Sequence, residues 1–170
     1  MIFGMTTATY TFVHVLISLA GIGSGFIVLY GLLVGKRHDG WTVFFLATTV
    51  ATSVTGFGFP FDHLLPSHIV GIISLVALAV AIAARYALHM AGAWRRTYVI
   101  SSVIALYLNV FVLVVQCFEK VSALKALAPT QKEPPFVVTQ VVLMALFIVL
   151  TVFAVKRFRA EPAIPFARAA

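Results

Sequence analysis

The sequence predicts an all-α integral membrane bundle of five transmembrane helices, and three observations predict it. The chain of 170 residues is 62% hydrophobic and only 10% charged, with a mean hydropathy of +1.07. Soluble domains carry about 25% charged residues, so this chain has too little polar surface to coat a water-exposed globule, and a lipid-facing exterior resolves the shortage. Five apolar stretches approach the roughly 20 residues with which a helix crosses a hydrocarbon core about 30 Å thick. Basic residues, finally, gather in alternate breaks between those stretches, as they do in cytoplasmic loops.

The first stretch, residues 10–34, has no Lys or Arg ahead of it and is longer than the apolar core of a signal peptide, about 7–15 residues. It reads as a retained helix. Gly21-x-x-x-Gly25 and Gly31-x-x-x-Gly35 space small residues so that helix backbones approach closely. That marks a packing helix and a candidate contact for a homo-oligomer or a larger membrane complex. The glycines are not a nucleotide loop, because they lie inside an apolar helix with no strand before them.

The second stretch, residues 41–59, is the most polar, with Thr48, Thr49, Thr52, Ser53 and Thr55. Without it the chain has four spans and both termini on one side. Pro66 opens the third stretch, residues 67–90, where a helix start loses no hydrogen bond, and Pro134-Pro135 do the same before the fifth, residues 136–153. On the fourth, residues 97–118, Ser102, Asn109 and Gln116 recur every seven residues and share one face. Interhelical hydrogen bonding explains such a face, and the Thr48, Thr52 and Thr55 stripe can answer it across a helix pair. Residues 1–159 form one transmembrane domain, and 160–170 a short cytoplasmic tail.

With five spans, nine Lys and Arg residues fall on one side and only Lys120, Lys125 and Lys132 on the other. The positive-inside rule then puts the N-terminus outside and the C-terminus in the cytoplasm of a bacterial-type inner membrane. Trp41 and Trp94 flank the basic turns as interfacial anchors. The net charge of +7 follows from this bias and calls for no nucleic acid. Arg85, close to the basic end of the third helix, is placed to snorkel to the headgroups.

This topology gathers chemistry on the outer face. Asp62, His63 and His68 lie in or beside the loop between the second and third stretches, and His14 near the outer end of the first. Imidazole ligates haem iron and transition metals, and a neighbouring carboxylate orients it. His14 and His68 are the first-choice ligands for a b-type haem; alternatively His14, Asp62, His63 and His68 supply a mixed N/O metal site. The bland counterpart is that Asp62 and His63 are solvated and that His14 bonds a neighbouring helix. His38 and His89 fall in short turns on the opposite side.

Absences narrow the field further. All five acids lie outside the spans, which argues against a proton-coupled carrier with an intramembrane carboxylate. No P-loop, Gly-x-Ser-x-Gly or His-Glu-x-x-His occurs, and the single Cys117 excludes an internal disulfide. The leading expectation is a small redox or metal-linked membrane protein with an outer-face His/Asp site serving electron transfer. Its alternatives are a non-catalytic subunit or assembly partner acting through helix packing, and a small-solute channel lined by the Thr, Asn and Gln faces.

Overall fold

Thr6 starts the first helix: its Oγ1 accepts the Thr9 N–H at 3.2 Å, satisfying one donor that a helix start leaves without a partner. α1 then runs Thr7–Val34 and stops at Gly35, whose φ of +73° lies in the left-handed region that glycine adopts without cost. The computed structural model describes residues 4–59 and 66–159. α2 spans Asp39–Gly56, α3 Pro66–Ile82, α4 Trp94–Lys120, α5 Ser122–Leu127 and α6 Pro134–Arg157. Both proline expectations hold, with Pro66 first in α3 and Pro134 at the start of α6. The chain is all-α, as its composition demands.

α3 continues through a π-helical turn, Ala83–Ala87, in which the Leu88 N–H reaches back to the Ala83 carbonyl at 2.9 Å. The Met90 N–H then closes on the Ala84 carbonyl at 2.8 Å, and His89, Met90 and Gly92 all take positive φ. This sharp reversal is what lets α4 return beside α3. The linker between α4 and α6 contains the short α5.

Among the described residues, four helical segments are long and apolar enough to cross a membrane: α1, α3 with its π-turn, α4 and α6. The chain is therefore a multi-pass membrane protein. The Thr-rich α2 is a different case, being 18 residues and so about 27 Å long. It nevertheless tracks α1 antiparallel from one end to the other. Gly31 faces His38, Gly25 faces Phe45, Gly21 faces Thr48 and Thr49, and His14 meets Thr55.

α1 packs on α2, α4 and α6, while α4 packs on α1, α3 and α6. These two helices form the centre, and the apolar core gathers around them: Val28 and Leu32 of α1 and Tyr98, Val103 and Leu106 of α4, with Phe45 of α2 and Leu78 of α3. α6 lies on the rim and buries only Gln140, Phe147 and Ala154, a seam with a seven-residue period. The remainder of its surface is apolar and exposed, suited to lipid.

Most of the described basic residues collect at one end of the bundle, with Lys120, Lys125 and Lys132 at the other, as the alternation of breaks predicts. There Arg95 Nη1 donates to the Val155 carbonyl at 3.2 Å and to the Phe158 carbonyl, placing a cation on the negative end of α6. Gly35 closes against the Arg157 carbonyl at the same end. The expected tail from Ala160 lies outside the described residues.

Candidate functional site

The end opposite the basic cluster is built from Tyr10 and His14, which α1 presents one turn apart to the last turn of α2. The Tyr10 hydroxyl donates to the Thr55 carbonyl at 2.7 Å, and His14 Nδ1 meets Thr55 Oγ1 at 2.8 Å. Phe59 completes the cradle, with its ring 5.0 Å from that of Tyr10 and 5.3 Å from that of His14, both edge-on.

The hydrogen bonds around Thr55 fix the tautomer of His14. Thr55 Oγ1 spends its only proton on backbone carbonyls of its own helix, at 2.7 Å from Ala51 and 3.2 Å from Thr52. It can only accept from His14, so Nδ1 carries the proton. In a neutral imidazole the other nitrogen then holds a lone pair. That nitrogen, Nε2, bonds no described residue, and the side chain is half-buried. A histidine whose first nitrogen is held by a neighbour and whose second is bare has the arrangement found in metal and haem ligands.

His68 opens α3 on another flank of α2. It is buried and stacks on Phe57 with ring centroids 5.5 Å apart and planes 26° from parallel. Phe57 fits there because Gly71 lacks a Cβ, which would come within 3.3 Å of the ring. α1 and α3 both pack on α2, but no packed seam joins them to each other. His14 and His68 thus meet different rings of the Phe57-Gly58-Phe59 turn. Asp62 and His63 lie outside the described residues. Among the described residues, no group of three or more His, Cys, Asp or Glu side chains comes together to hold a metal ion.

Around this end α4 is loosely held. From Tyr98 to Leu106 seven of nine residues are buried, whereas from Tyr107 to Cys117 only Val110 is. Two amides brace this looser half: Gln140 Nε2 donates to the Phe111 carbonyl and Gln131 Nε2 to the Val115 carbonyl, each at 3.3 Å. Further in, Asn109 Nδ2 approaches Thr49 Oγ1 at 3.5 Å, over Gly21. The expected pairing of hydroxyl and amide faces is present, through Thr49 rather than Thr48, Thr52 or Thr55.

Gly21, Gly25 and Gly31 are buried against α2, α4 and the α1–α2 turn, and Gly35 caps α1, so the close packing that the stripe announces is met within the chain. Arg85 does not snorkel. It extends the buried stripe of Ser74, Leu78 and Ala81 at helical spacing, so it faces α4. Its side chain is only 8% exposed, with Nη2 donating to Asp39 Oδ1, whose side chain is 71% exposed. The guanidinium lies 5.1 Å from the Tyr98 ring centre and 5.5 Å from that of Tyr86, so two π-faces stabilise the inward charge.

Compared with protein-family models, curated proteins and solved structures, the chain matches none. The functional reading rests on the geometry alone.

Proposed function

We propose that the chain is a small inner-membrane redox protein that holds a b-type haem or a transition-metal ion near its outer end, with His14 Nε2 as the principal ligand. The observation that carries this reading is the fixed tautomer: Thr55 holds His14 Nδ1 as a donor, and Nε2 bonds no described residue. Imidazole so oriented by a neighbouring hydrogen bond is a better and more rigid ligand. At the same end of the bundle α4 is half-buried, whereas its other half is closed by packing. His68 is the second candidate ligand, with Asp62 and His63 as the alternative partners for a metal ion.

The test is the ultraviolet–visible spectrum of the detergent-purified protein, oxidised and then dithionite-reduced, together with its metal content. A Soret band with sharp reduced α and β bands, lost in His14→Ala, is the expected result for haem. Stoichiometric metal lost in the same variant is the expected result for an ion. Cofactor content unchanged in both His14→Ala and His68→Ala would refute the assignment.

A second reading, a packing subunit of a larger membrane complex, draws on α6, whose burial within this chain is limited to Gln140, Phe147 and Ala154. Co-purification of a stable larger assembly that carries no cofactor would favour it.

A further inference from the structure

At the basic end, the start of α2 and the π-turn of α3 enclose an open cleft of about 440 Å³, lined among others by Arg37, Asp39, Val43, Arg85, Tyr86 and His89. We propose that this cleft binds the phosphodiester headgroup of an anionic phospholipid, with the acyl chains lying along the exposed apolar faces of α2 and α3.

Three observations support a lipid rather than a soluble anion. The first is charge. Arg85, turned inward between Tyr98, Tyr86 and Asp39, offsets the charge of Asp39. Arg37, which also lines the cleft, has no acidic partner among the described residues. Asp39 is the one carboxylate in the cleft, and its commitment to Arg85 leaves Arg37 and the His89 ring to face an anion.

The second observation is depth. The cleft sits where α3 ends and α2 begins, with Trp41 in the first turn of α2, which is the level at which aromatic anchors mark the headgroup region. Basic pockets between transmembrane helices at this level recognise anionic headgroups.

The third is the apolar wall. Val43 lines the cleft and is 54% exposed, and Ile82, one turn before the π-turn's end, is also exposed. A soluble phosphate ester would gain nothing from these side chains, whereas a diacyl lipid covers them.

The test uses the full chain, delipidated in detergent and titrated by native mass spectrometry with phosphatidylglycerol, phosphatidylcholine and glycerol phosphate. Phosphatidylglycerol is expected to bind preferentially. Each basic residue near a membrane surface contributes about 1 kcal/mol to anionic-lipid attraction, so Arg37→Gln is expected to weaken binding about fivefold. Lys156→Gln removes an equal charge at the same end, outside the cleft, and is expected to leave binding unchanged. Equal binding of the two lipids, or equal loss in both variants, overturns the proposal. Glycerol phosphate binding as tightly as the lipid also overturns it, because the cleft would then be a soluble phosphate-ester site.

Discussion

Replacing Gly25 by Ala tests whether α1 is packed as described, because the same helix carries its own control two residues away. A Cβ on Gly25 would lie 2.5 Å from Leu106 Cδ1 and 2.9 Å from Phe45 Cε2. Leu106 and Phe45 are each 1% exposed and are locked between α1, α2 and α4, so neither can swing aside. Overpacking of a closed core costs about 1–3 kcal/mol, and the rigidity of both neighbours puts this site near the upper end. The better helix propensity of Ala returns about 1 kcal/mol. The net expectation is a loss of about 2 kcal/mol, roughly thirtyfold in the unfolding equilibrium. A Cβ on Gly23 meets nothing within 4 Å. Gly23→Ala is therefore expected to be neutral or to gain up to about 1 kcal/mol. Reversible unfolding in mixed detergent–dodecyl sulfate micelles, followed by far-ultraviolet circular dichroism, gives both values. If Gly25→Ala proves as stable as Gly23→Ala, the glycine stripe is not buried inside the chain and the packing of α1 on α2 and α4 is wrong.

Further perturbations probe the two ends of the bundle. Thr55→Val removes the acceptor that holds His14 Nδ1–H, so nitrogen NMR of the imidazole should pass from one tautomer to a mixture; an unchanged spectrum would sink the tautomer assignment. Gly35→Ala forces a side chain into φ +73° beside the Arg157 carbonyl, and should destabilise by about 1 kcal/mol or more in the same unfolding assay, with Gly35→Asn milder. Glu133 titrates in the opposite sense to a buried carboxyl. Desolvation pushes it up, but the bonds from the Thr130 side chain and from the Glu133, Thr130 and Lys132 amides together outweigh that and hold it below its ordinary value. A depressed folded value means that these bonds contribute above the unfolded carboxylate pKa of about 4.3 and are lost as pH falls through the lower folded value. The Thr130 and Lys132 amide resonances should therefore move with a midpoint below about 4.3, and a midpoint at or above it would contradict the loop geometry.

The mobility implied for α4 is likewise measurable in principle from its own packing. Its inner half, from Tyr98 to Leu106, should protect its amides from exchange longer than the half from Tyr107 to Cys117, because buried contacts set the cost of local opening. Equal protection along the helix would contradict the looser packing of the half from Tyr107 to Cys117.

Hydropathy, helix breaks and charge asymmetry determine the class of this protein, because each acts over a whole segment and needs no partner to be read. The long apolar stretches force helices, since lipid offers the backbone no other hydrogen bonds. Pro66, Pro134 and Gly35 then stop and start them by their own dihedral limits. The spacing of Gly21 and Gly25 likewise announces close packing, but not with what. Only the tertiary structure decides that the partners are Phe45 and Leu106 of the same chain. The same holds for Arg85: its helical spacing from Leu78 and Ala81 is visible, yet its inward course depends on Tyr98 and Asp39 arriving from other segments. His14 is singled out in the sequence by residue type and by its place near one end of the first stretch. Its tautomer could not be, because that turns on the proton of Thr55, 41 residues away, being committed to a carbonyl of α2. Periodicity and composition are properties of one segment, whereas a ligand-ready nitrogen or a buried cation is a property of the surfaces that meet it.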